Sequence, residues 1–256
     1  MDNSLNTMPS SALVNNHVEL LAEYLELEKY GIKWNEGERS IPQIWAIYPP
    51  RKFVHFALLS LYEFAATNFT KGKVVLDFGC GVGYGSYRLG VRDAKSVHGI
   101  ELDKKAIEFG NVHFHHPNVT TECKNINDLA ADPRKRGTYD FVYCSNVMEH
   151  IKDYSEVLKS ISELLKPGGQ YLQVTPPSGK ARGNPFHVTN YTVEEWREVL
   201  EPLFPSQRYF SHAPTRPRDK VISEYEFRFV ECSPTDMSHL KSISGIILAS
   251  KPHKFT

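Results

Sequence analysis

The chain has 256 residues, 41% hydrophobic and 23% charged, with thirty Lys and Arg against thirty Asp and Glu. That length suits one domain with elaborations and a sizeable core, and the cancelled charge advertises no nucleic-acid surface. No apolar run approaches the roughly 18 residues of a membrane span, and the N-terminus lacks a basic-then-apolar signal, so a cytoplasmic location with no membrane partner is expected. The four cysteines, Cys80, Cys123, Cys144 and Cys232, lack C-x-x-C spacing and read as free thiols of a reducing compartment.

Along the chain, the first 15 residues are polar and expected to fray. Residues 18–30 are a helix candidate, with Val18, Leu21, Ala22, Leu25 and Lys29 on recurring faces and Gly31 ending it. Residues 35–50 carry Pro42, Pro49 and Pro50 among Trp45, Tyr48 and three isoleucines, a proline-broken apolar stretch rather than a regular element. Residues 53–68 read as the helix before the first strand. Residues 74–78 are an apolar run around one acid, Asp77, as suits a strand covered on both faces. It leads straight into Gly79, Gly81, Gly83 and Gly85. Such glycines let a backbone turn sharply and approach a ligand, and residues 84–89 then start a helix whose N-terminal amides face that ligand.

The glycine spacing discriminates among cofactors. A dinucleotide fingerprint needs a third glycine where Tyr84 stands. Asp77, two residues before the first glycine, would repel phosphates but suits a cation. At this point the sequence resembles the class I S-adenosylmethionine-dependent methyltransferases, whose first motif is an acid followed by G-x-G-x-G. The resemblance implies S-adenosylmethionine as cofactor, held by Asp77, Gly79, Gly81 and Gly83.

The next segments fall in the order that the resemblance implies. Residues 96–100 read as a second strand ending at Glu101, whose carboxylate is placed to accept both ribose hydroxyls, with Leu102 beside it. A helix over residues 104–109 follows. After a third strand, residues 119–123, the family holds the adenine through a side chain and a backbone amide. These positions are Asn125, where an acid is usual, and Ile126; Asp128 is expected to cap a turn. Residues 141–145 read as a fourth strand, with Ser145 at its end on the cofactor side. Residues 154–166 are amphipathic, with Val157, Leu158, Ile161, Leu164 and Leu165 at helical spacing. Pro167, Gly168 and Gly169 are expected to end that helix, and residues 171–175 read as a fifth strand. The LKPGG element and the Glu149–His150 pair also resemble the family.

Beyond strand five, residues 192–203 read as a helix capped by Thr192, with Glu195 completing a capping box. The segment NPFHVTNYT ahead of it, with GERSIP at 37–42, resembles methyltransferases found with glycan or secondary-metabolite pathways. Residues 207–211 and 245–250 read as strands six and seven, separated by an insertion over 212–242 with Pro214, Pro217 and Pro234. The expected fold is α/β: a doubly wound, Rossmann-like, seven-stranded, mostly parallel sheet with an antiparallel last strand forming a hairpin with its predecessor. Residues 53–256 would form the methyltransferase domain. Residues 1–52 would form a tail and helical lid, with Trp45, Tyr48 and Arg51 candidates to close over the site or to pad the scaffold.

Methyl transfer to oxygen needs a base, and His suits that work near neutral pH. His150 after strand four and His187 after strand five lie at the carboxyl edge of the sheet, where substrates approach doubly wound folds. Packing at the helix start for His150, and a loop hydrogen bond for His187, are the plain alternatives. Glu149 is a third candidate polar contact. His113, His115 and His116 lie before strand three with no carboxylate or cysteine at useful spacing, so no metal is expected. The leading reading is a methyltransferase for a small-molecule acceptor, at a hydroxyl oxygen. An N- or C-methyltransferase, one acting on protein or RNA, and a non-catalytic scaffold are the alternatives, and a homodimer stays open.

Overall fold

The computed structural model describes residues 49–176, 186–215, 226–237, 240 and 242–253, with only the backbone for residues 49–52. The helix candidate at 18–30 and the lid residues Trp45 and Tyr48 lie outside this set. Arg51 falls in the first turns of helix α1, Pro49–Ala65, which runs into a π-helical turn over Ala66–Thr70.

Eight strands form one sheet. They are β1 Val74–Phe78, β2 Ser96–Glu101, β3 Val119–Cys123, β4 Tyr139–Ser145, β5 Leu165–Thr175, β6 Ser206–Pro214, β7 Phe227–Cys232 and β8 Ser244–Ser250. Their spatial order is β3-β2-β1-β4-β5-β8-β6-β7. The pairings from β3 to β5 are parallel. β8 lies antiparallel between β5 and β6, and β7 pairs antiparallel with the outer side of β6. The remaining helices are α2 Tyr84–Val91, α3 Lys104–His113, α4 Ile126–Ala131, α5 Tyr154–Leu164 and α6 Val193–Leu200.

Period-two alternation divides the core between the two faces. Val75, Val97, Phe141, Leu172 and Leu248 pack toward α1, α2 and α3. Leu76, Ile100, Val142, Tyr171 and Ile247 pack toward α4, α5 and α6. Asp77 shares the face of Val75, and so points under α1 and α2. The order reverses at β1, which has β2 on one side and β4 on the other, and a crevice opens beyond such a switch point.

The expected elements β1, β2 and β3 stand where the sequence placed them, as does the antiparallel pairing of β6 with β8. Four expectations need correction. The sheet has eight strands rather than seven, because the insertion over 212–242 contains β7. Its Phe227 and Phe229 bury against α1 while Arg228 between them is exposed. The helix expected to reach residue 166 stops at Leu164, and β5 begins at Leu165, which pairs with Tyr139. Pro167 to Gly169 make a bulge inside the strand, with Gly168 at φ 73°, where the sequence suggested a turn. Helix α6 ends at Leu200, and residues 201–203 form a turn. Among the described residues no helix is long and apolar enough to cross a membrane.

Candidate active site

A cleft of about 970 Å³ opens over the carboxyl ends of β1, β2 and β4. That volume lies at the upper end of the 300–1,000 Å³ typical of ligand pockets. Gly79 and Gly81 line its floor, at φ 75° and 57°. A Cβ on Gly79 would run into Val147, whereas one on Gly81 would stand in open space within the cleft. Gly83, at φ 81°, begins α2 without any side-chain cap. Gly83 itself does not line the cleft.

Glu101 ties two elements of the site together. Its Oε1 accepts from the amides of Leu102 at 2.8 Å and Asp103 at 3.1 Å, and its Oε2 accepts from Gly81 N at 3.2 Å. A carboxylate has about four lone-pair positions and three are taken, so acceptor capacity remains at Oε2 for about one hydroxyl. The Leu102 side chain is 68% exposed on the cleft rim.

Asp77 sits beneath this floor instead of lining it. It is fully buried, accepting from Ser86 Oγ at 2.6 Å and from the Tyr62 hydroxyl at 3.3 Å. Burial pushes its carboxyl up to about 7; the charge of Glu101 adds to this, and the two hydrogen bonds oppose it. Tyr62 itself lines the cleft from α1, one turn after Leu58, and its hydroxyl is held well above the ordinary tyrosine range, first by burial and then by Asp77.

On the other wall, Asn125 is exposed and caps α4, its Oδ1 accepting from Asn127 N at 2.9 Å; one lone pair stays for a ligand. Ile126 is buried beside it and presents an apolar surface to the cleft. Ser145 and Asn146 end β4 in the cleft, Asn146 Nδ2 donating to Ser145 Oγ at 3.0 Å. Asn146 adopts φ 53°, a left-handed conformation that Asn tolerates better than most residues. Sequence reading missed Tyr62 and Asn146. The Leu58–Tyr62 spacing on a helix was the signal for the former, and nothing local marks the latter.

The two candidate bases are brought together. His150 lines the cleft from a 3₁₀ turn, Met148–His150, while His187 stands just outside in the loop after β5. Their ring centroids are 4.9 Å apart. His150 Nδ1 donates to the Phe186 carbonyl at 2.9 Å; a carbonyl can only accept, so the lone pair of the neutral ring lies on Nε2. The loop is pinned to the turn by Val188 N and Thr189 N, both donating to Glu149 O at 2.9 and 3.0 Å, and by Thr189 Oγ1 donating to Ile151 O at 2.9 Å. Glu149, only 2% exposed, completes the group: one ligand-type atom from each of Glu149, His150 and His187 lies within 4.8 Å of the others. The run His113, His115, His116 lies away from the cleft.

The site has the features that an adenosyl cofactor needs: a glycine floor with open space over Gly81, a fixed carboxylate at the end of β2, an apolar wall at Ile126 and a buried acid below. Comparison with known proteins agrees. The methyltransferase-domain family matches residues 51–215 of the chain. The ubiquinone biosynthesis O-methyltransferase of Chromobacterium violaceum is 38% identical over 100 residues, covering 38% of this chain and 42% of that protein. The protein of the same name from Bordetella pertussis is 32% identical over 149 residues, covering 56% and 57%. The chain thus spans only about half the length of these curated relatives. The crystal structure of an S-adenosylmethionine-dependent methyltransferase from Mesorhizobium loti superposes with a TM-score of 0.54 at 16% identity, covering 76% of this chain and 98% of that one, a likeness of fold. Family match, fold and glycine floor together place this chain among the class I S-adenosylmethionine-dependent methyltransferases.

Proposed function

We propose that the chain methylates a hydroxyl oxygen of a small-molecule acceptor of natural-product or sugar type, with Glu149, His150 and His187 handling the hydroxyl proton. The observation that carries this reading is the meeting of His150 with His187 at the cleft, beside the ends of β4 and β5. Bound S-adenosylmethionine supplies a methyl carbon already activated by its sulfonium. The chain's own residues must hold the acceptor oxygen about 3 Å from that carbon and keep water out. Glu101 fixes the glycine floor through Gly81, so the donor side is rigid. His150 is oriented by the Phe186 carbonyl so that Nε2 is the basic atom, and it takes the hydroxyl proton as the oxygen attacks. The exposed Phe186 and Val188 beside the histidines offer apolar contact to the acceptor body. The O-methyltransferase names of the curated relatives support an oxygen acceptor.

Calorimetric titration with S-adenosylmethionine, S-adenosylhomocysteine and NAD tests the donor side, with binding of the adenosyl pair and no response to NAD expected. Labelled methyl donor with matched hydroxyl, amine and activated-carbon acceptors then tests the other side. Transfer to hydroxyl compounds is expected, and transfer confined to amines or carbon would overturn the oxygen assignment.

A further inference from the structure

We propose that Glu149, His150 and His187 form a binding site for one divalent first-row transition ion, such as Zn²⁺, Mn²⁺, Fe²⁺ or Co²⁺. Three observations carry this. The three residues bring a carboxylate oxygen and two imidazole nitrogens within 4.8 Å of one another. Bonds of about 2.0–2.2 Å to a shared ion require ligand separations of about 3.3 Å, within reach of small side-chain rotations. The histidine with a known partner has the support that metal-binding imidazoles usually have. The Nδ1–H of His150 is held by the Phe186 carbonyl at 2.9 Å, which fixes the tautomer and directs the Nε2 lone pair away from that bond. The scaffold is preformed: three hydrogen bonds from Val188 and Thr189 lock the His187 loop onto the turn that carries Glu149 and His150, so little ordering entropy remains to be lost when an ion binds.

The donor set decides the kind of ion. Two imidazoles and one carboxylate suit borderline transition ions, whereas Mg²⁺ and Ca²⁺ prefer all-oxygen shells. Three protein ligands leave at least one position open, and His150 lines the cleft, so that position faces the place the acceptor must occupy. This role rests on the methyl-transfer reading above. With the ion bound, His150 Nε2 is a ligand and no longer the base; a hydroxyl taking the open position would release its proton to solvent at lower pH, the ion supplying by charge what the free imidazole supplies by basicity in its absence. The new C–O bond then forms as the S–CH₃ bond breaks, its electron pair staying on sulfur. Binding of the ion itself does not depend on that role.

The test uses the full chain, stripped with a chelator and titrated with Co²⁺ by calorimetry and visible absorption, then competed with Zn²⁺. One ion per chain is expected, with a cobalt ligand-field band that Zn²⁺ displaces. Affinity should fall at least tenfold in His187→Ala and in Glu149→Gln, and stay unchanged in the control His115→Ala. Absence of saturable binding, binding unaltered in both site variants, or saturation by Mg²⁺ alone would overturn the assignment. S-adenosylhomocysteine titrated into the same samples checks folding and separates the two ideas. Adenosyl binding without cobalt binding sinks the ion site alone, and cobalt binding without adenosyl binding sinks the methyl-transfer reading and leaves the ion site standing.

Discussion

The imidazoles of His150 and His187 meet edge to face, with planes at 83°, although one comes from the turn after β4 and the other from the loop after β5. Backbone bonds from Val188 and Thr189 to Glu149 O hold the His187 loop against the turn that carries His150. Replacing either histidine with Ala is expected to lower kcat by roughly 10²–10⁴, the usual range for a proton-handling group. The double variant should lose little more than the worse single one, because the two act as a unit. Affinity for S-adenosylhomocysteine should stay within about twofold. Steady-state kinetics beside calorimetry check this; full turnover in both single variants would remove the histidines from the reaction.

Asp77 is expected to give cofactor binding a pH dependence. Its carboxyl is raised to about 7 by burial, so in the free protein it is largely neutral below that pH and charged above it. A cationic ligand favours the charged form. Affinity for S-adenosylmethionine should therefore rise with pH through about 7, by at most tenfold per unit, and level off above. In Asp77→Asn the slope and most of the affinity should vanish. The contribution of Asp77 to stability has the opposite sign: the folded state binds a proton that the unfolded chain has already released, so this contribution falls as pH rises from about 4 to 7. Asp77→Asn should remove that loss, and urea titrations at several pH values would measure it.

Glu101 is held by three amides and has acceptor capacity left. Charge-assisted hydrogen bonds contribute about 1.5–3 kcal/mol each, so Glu101→Ala should weaken adenosyl-ligand binding by one to two orders of magnitude or more. Unchanged affinity by calorimetry would sink the ribose assignment.

Gly85 is required by Tyr62. A Cβ at position 85 would overlap the Tyr62 ring, which also lies 4.5 Å from Tyr143 and 5.5 Å from Tyr84. Gly85→Ala should cost about 1–3 kcal/mol, the usual penalty of overpacking. Adding Tyr62→Ala should cost less in that background than alone, and a double-mutant cycle by chemical denaturation reads the coupling.

Two buried histidines set the acid limit. Burial lowers His55 to about 4 and His212 to about 3. His212 also joins α1 to the sheet, with Nε2 3.0 Å from Ser60 Oγ and its ring stacked on Phe229. Both stay neutral when folded, while the unfolded chain takes up protons below about 6.5. Their contribution to stability is fully present above that pH and is lost as pH drops toward 3–4, by up to about 1.4 kcal/mol per unit for each group, opposite in sign to that of Asp77. A His212→Asn variant should show a shallower slope between pH 6 and 4, and an unaltered slope would rule His212 out as a source.

The parts of the fold that were legible are those with local signals. β1 and β2 were read within a residue because their apolar runs end at glycine or an acid, and the Thr192–Glu195 capping box appears as expected at the start of α6. β7 was hidden because its six residues follow a proline-marked stretch and alternate over only two phenylalanines. The early start of β5 was hidden because Pro167, Gly168 and Gly169 signal a turn locally, while pairing of Leu165 with Tyr139 absorbs them as a bulge. In the site, Glu101 and the glycine floor followed from spacing. Asp77 was read as touching the ligand, and burial beneath Tyr62 and Ser86 is a tertiary fact that spacing cannot carry. The grouping of Glu149 with both histidines has the same character.

The place of β8 bears on how the molecule is made. It is the last of the eight strands to be synthesised, yet it lies inside the sheet, between β5 and β6. On the ribosome, β1 to β5 can assemble early with both candidate ligand walls in place. β5 meanwhile shows an unsatisfied ladder, and β6 with β7 has nothing to dock on. Until residues 244–250 emerge, the nascent chain carries two open edges of the kind that recruit other strands, so the interval before β8 inserts is when pairing with the wrong strand is least opposed.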